Sequence, residues 1–178
     1  MPRLPYKPDA AAGPEEIVAA IRARRGGTLL HLDRQLLYSP ALAVAWNGMM
    51  GTVRTGLALP ARLREIAICA VATANGAPYE FHHHAPVLLA AGGSAAQVET
   101  LGDVDAALER TDAVFDAAER ATLRLAVEMT RSVQVADATF DAARAALGDD
   151  ALVVELVATI AAYNMVSRVI VALGIEPE

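Results

Sequence analysis

Residues 65–84 read EIAICAVATANGAPYEFHHH, and they decide the fold of this chain. The first ten are almost wholly apolar: Ile66, Ala67, Ile68, Ala70 and Val71 follow Glu65 without a break. Upstream, Leu59-Pro60-Ala61-Arg62 reads as a helix start with Pro60 at the first helical position. Asn75-Gly76 is a helix stop. Pro78 then suits the first turn of a second helix, which carries Tyr79 to about Ala91 and stops at Gly92-Gly93. The pattern predicts an antiparallel hairpin of two helices, 60–76 and 78–92. Glu65 hangs from the first; Glu80 and His84 hang from the second.

Outward from the hairpin, every segment reads as helix or connection. Residues 1–13, rich in proline, are expected to form an arm, and 14–178 a single helical domain. Pro14 opens a helix that ends at Gly26-Gly27. A helix or turn spans Leu29 to Leu37. Ser39-Pro40 starts a helix through Trp46 to about Arg54. Ser94-Ala95-Ala96-Gln97 is a capping box leading toward Leu101, and residues 103–108 read as a connection. A long helix is expected from Thr111 to about Val133, another from Asp137 to Leu147, and a last one from Asp149-Asp150 to Gly174. No stretch reads as a strand, so the fold class is all-α.

Composition narrows the function. The 178 residues suit one domain with a substantial core, and 54% are hydrophobic with few aromatics. No uninterrupted apolar run reaches the roughly 18 residues a membrane span needs, and the N-terminus lacks a signal-peptide core. A membrane partner is therefore not expected. The single cysteine excludes an internal disulfide and agrees with a cytoplasmic location. A net charge of −6 without a dense basic cluster argues against nucleic acid. The high apolar fraction points to surface buried between subunits.

The chemistry gathers in the hairpin. Glu80 and His84 are four apart and share a helix face. A carboxylate there can orient the imidazole and leave its other nitrogen as base. The helix N-terminus favours a Glu80 anion and a neutral His84. Glu65, on so apolar a helix, is expected to have a raised pKa and to act as proton donor. The same groups also suit a structural Glu–His–Tyr hydrogen-bond cluster, and spacing alone does not choose. No metal is expected from His82, His83 and His84, because at about 100° per residue His82 and His84 point to nearly opposite faces. Arg54, Arg62 and Arg64 precede the relay and suit a substrate carboxylate, and Trp46 suits a pocket wall.

These residues resemble the carboxymuconolactone decarboxylase family, within the alkylhydroperoxidase D-like superfamily. The resemblance rests on Arg64-Glu65, on Tyr79-Glu80-Phe81 with His84, and on Gly92-Gly93-Ser94. Leu37 to Pro40, Trp46-Asn47, Arg54 and Tyr163-Asn164 with Arg168 extend it over most of the chain. The peroxidase branch carries a Cys-x-x-Cys between its Glu and His. Here the Glu65-to-His84 spacing is kept, but Ala77 and Glu80 stand where those cysteines would be. The resemblance implies an alkylhydroperoxidase D-like helical bundle, a trimer or hexamer, and an enzyme without organic cofactor. Decarboxylation or double-bond isomerisation of a small carboxylated or lactone-like substrate is the implied chemistry. Glu65 would be the acid, His84 the base and Glu80 the orienting carboxylate. Tyr79, Arg62, Arg54 and Trp46 would bind substrate. Thiol-peroxidase activity and a non-enzymatic small-molecule-binding oligomer are the rival functions.

Overall fold

The computed structural model describes residues 1–178 and contains ten α-helices and no strand. Two compact units divide the chain: residues 1–57 with 170–178, and residues 58–169. The first unit holds α1 (Glu15–Arg25), α2 (His31–Leu36) and α3 (Pro40–Gly51), which runs into a π-helical turn at Thr52–Gly56. Residues 1–13 are tied down within it. Leu4 and Lys7 carbonyls accept from Gln35 and Arg34, and the Tyr6 ring stacks on His31 at 3.9 Å. Asp33 is buried there and pairs with Arg24 and Arg25, as a buried carboxylate must.

The second unit holds the hairpin, α4 (Ala61–Ala74) and α5 (Pro78–Ala90). It continues with α6 (Ala95–Leu101), α7 (Val104–Glu109), α8 (Ala117–Arg131), α9 (Asp137–Leu147) and most of α10 (Asp150–Leu173). α4 is buried almost all round: Ile66, Ala67, Ile68, Cys69, Ala70 and Val71 have no exposed surface. A helix with apolar residues on every face belongs in the middle of a core, and α4 packs against both α5 and α8. Gly76 makes the turn possible with φ +60°, a conformation open to glycine without strain. Gly93 lets the chain leave α5, since a Cβ there would meet the Leu88 side chain at 2.7 Å and its carbonyl at 2.8 Å.

Three expectations change. Residues 103–108 are not a bare connection: the Asp103 side chain accepts from the amides of Asp105 and Ala106 and caps α7. The long helix begins at Ala117 rather than Thr111, because Asp116 and Glu119 form a capping box that sets its start. The α3 helix ends at Gly51 rather than near Arg54, giving way to the π turn. α10 is long and apolar enough to cross a membrane by length and composition. In this fold its Leu156, Ile160, Tyr163 and Val166 are buried.

Candidate active site

The hairpin brings together the residues that its spacing promised. Glu65 and Cys69 lie one turn apart on α4; Glu80 and His84 lie one turn apart on α5. Glu65 Oε2 is 2.6 Å from His84 Nδ1. Glu65 Oε1 accepts from Arg64 Nε at 3.1 Å. The other imidazole nitrogen, Nε2, lies 3.2 Å from the Tyr163 hydroxyl and 3.6 Å from Glu80 Oε2. The Tyr163 ring meets the imidazole edge-on, with centroids 5.0 Å apart. Glu65, Glu80, His84 and Tyr163 are all buried.

The electrostatics reverse one expectation. Burial pushes the Glu65 carboxyl upward, but the His84 hydrogen bond and charge and the Arg64 guanidinium outweigh it. The net shift is downward, so Glu65 is an anion at neutral pH and no proton donor. An ionised carboxylate only accepts hydrogen bonds, so His84 carries a proton on Nδ1, and Nε2, beside the Tyr163 hydroxyl and Glu80, is the nitrogen at which a second proton is gained or lost. Glu65 therefore accepts from the His84 Nδ1–H and from Arg64. Glu80, expected as the orienting carboxylate, stands instead beside the nitrogen that can exchange protons. Cys69 faces two carboxylates in a closed core; burial first, then the charges of Glu65 and Glu80, push its thiol well above the usual range.

The expected substrate binders lie on different elements. Tyr79 is buried on α5 with its ring tilted over His83 at 4.4 Å. Arg62 is not poised for a substrate carboxylate: its Nε lies 2.7 Å from the buried Glu119, and a second nitrogen lies 3.2 Å from Asp116. Glu119 also accepts from Gln97, so Arg62 compensates a buried network. Trp46, buried in α3, and Arg54, half-buried in the π turn, both belong to the first unit. Two further residues touch the relay. Arg64 is the arginine of the cluster that reaches Glu65. Tyr163 is a lone hydroxyl-bearing ring on an aliphatic helix, a signal that it needs a partner, though its partner lies 79 residues away. An open, largely apolar groove of about 450 Å³ lies at the hairpin turn. Its lining includes Ala77, Phe81 and His82, and not the buried His84.

The chain matches the carboxymuconolactone decarboxylase family over residues 40–123. Its fold is alkylhydroperoxidase D-like. The chain is similar to an alkylhydroperoxidase AhpD core structure, an uncharacterized peroxidase-related protein from Ralstonia eutropha JMP134. That match has 20% identity and a TM-score of 0.84, covering 99% of this chain and 92% of that one. A peroxidase-related protein from Silicibacter sp. TM1040 matches at 20% identity and TM-score 0.81, over 99% and 94% of the two chains. The debrominase Bmp8 matches at 19% identity and TM-score 0.80, over 97% and 90%. At such identities the likeness is one of fold. None of the curated proteins matches this chain.

Proposed function

We propose that this protein is a cofactor-independent acid–base enzyme, decarboxylating or isomerising a small carboxylated or lactone-like substrate. The observation that carries the reading is the buried Glu65–His84 hydrogen bond of 2.6 Å, with Glu80 3.6 Å from the opposite ring nitrogen. In isomerisation, Nε2 takes a proton from a carbon next to a carbonyl. The C–H electron pair moves into the conjugated system, and Nε2 delivers a proton, exchangeable with solvent while it sits on the imidazole, to a different carbon. In decarboxylation, the C–C bond to the carboxylate breaks and carbon dioxide leaves. The electron pair stays on the substrate as an enolate, and Nε2, protonated beforehand from solvent, gives that proton to the carbon and returns to the neutral imidazole. Both balance without oxidant or reductant. The imidazolium stands between two carboxylates, which lowers the cost of charging it inside the fold. The apolar groove beside Ala77 and Phe81 suits the ring of a lactone.

A thiol-peroxidase reading is less well supported. Its only sulfur nucleophile is Cys69, which is fully buried with its thiol held protonated. The test uses a panel of carboxylated enol lactones in deuterium oxide, followed by proton NMR for carbon-bound exchange and loss of the carboxyl group. The folded Glu65→Gln and His84→Ala variants are each expected to lose about a hundredfold or more in turnover. Full activity in both variants would end the proposal.

A further inference from the structure

We infer that Tyr163 is the positioning residue of this site: its hydroxyl donates to His84 Nε2 and holds the imidazole neutral and correctly aimed. The inference rests on the acid–base reading above and adds a third side chain to it. In the neutral ring, with Glu65 holding the proton on Nδ1, Nε2 is the acceptor, and the Tyr163 hydroxyl lies 3.2 Å from it. The edge-on contact of the two rings at an interplanar angle of 86° limits rotation of the imidazole about its own axis.

The hydroxyl is placed by the helix that carries it. The neighbouring Asn164 accepts from Asn75 at the hairpin turn, at 3.1 Å, and donates to Thr130 of α8 at 3.0 Å. That clamp ties α10 to the hairpin one residue from Tyr163. Other titratable and charged groups also stand near His84. α4 presents Glu65, Arg64 and Cys69, and α5 itself presents Glu80. α6, which also packs on α5, has one titratable side chain, Glu99, and it is exposed. A hydroxyl that donates to the neutral ring disfavours the charged one. A ring that merely fills space would not.

The experiment is a side-chain nitrogen NMR titration of His84, assigned against His84→Gln. Tyr163→Phe keeps the ring and removes the hydroxyl. It is expected to move the His84 midpoint upward by about 0.5 to 1 in pH. The acid limb of the turnover profile should move with it. Placing 3-fluorotyrosine at 163 strengthens the donor and is expected to move the midpoint downward, which keeps the inference testable should Tyr163→Phe fail to fold. An unchanged or lowered midpoint in Tyr163→Phe, or an unchanged or raised one with fluorotyrosine, overturns the role. The titration reads His84 directly and needs no turnover. Loss of the acid–base reading, seen as full activity in His84→Ala, is therefore a separate outcome.

Discussion

At the scale of the residue, Glu65 carries a pH signature that a spectator would lack. Its folded value lies below the ordinary 4.5 because the His84 and Arg64 contacts outweigh burial. The unfolded chain binds that proton more readily, so stability rises with pH across this window. The contribution is complete above about 4.5 and is lost as pH falls through the lower folded value. Urea unfolding at a series of pH values should show the difference between wild type and Glu65→Gln shrinking as the solution is acidified. A difference that stays constant would mean that Glu65 is not held as an anion. Cys69 makes the contrasting case. Its buried, protonated thiol should resist a thiol-reactive disulfide reagent in the native protein and react promptly in denaturant. Cys69→Ser should leave turnover nearly unchanged; a large loss with the fold intact would revive the thiol chemistry.

At the scale of the element, the hairpin is set by its breaks as much as by its helices. Pro78 opens α5, Gly76 turns the chain before it, and Gly93 closes it against Leu88. Gly93→Ala should destabilise the protein by about 1–3 kcal/mol, because its Cβ meets a backbone carbonyl that cannot step aside. Gly48→Ala, inside α3 with open space around the new methyl, should instead stabilise by about 0.5–1 kcal/mol. Thermal or urea unfolding of the two variants gives both signs. Equal effects would show that packing at Leu88 does not constrain the exit from α5.

At the scale of the whole molecule, the chain shows more apolar surface than its core needs. Val154 and Met165 on α10 are 67% and 38% exposed, and Val87 and Leu89 on α5 are exposed as well. We propose that copies of the chain cover this surface by self-association. Light scattering at micromolar concentration should then give a multiple of the 18.6 kDa chain mass. A single species at the chain mass would end the proposal.

What the sequence determined by itself was local. Pro60, Pro78, Asn75-Gly76 and the apolar run of α4 wrote the hairpin, because caps and breaks act within a turn or two of the residues that cause them. The four-residue step from Glu80 to His84 was legible for the same reason. So was the need of Glu65 for a partner, since an ionisable group on a fully apolar helix has nowhere to hide. Only the tertiary structure decided which carboxylate meets which ring nitrogen, because that depends on how α5 is rotated against α4. It alone gave Arg62 to Glu119 and brought Tyr163 across 79 residues to His84. It also decided the sign of the Glu65 shift. That sign is a balance between desolvation, which the sequence suggests, and two close partners, which only packing supplies.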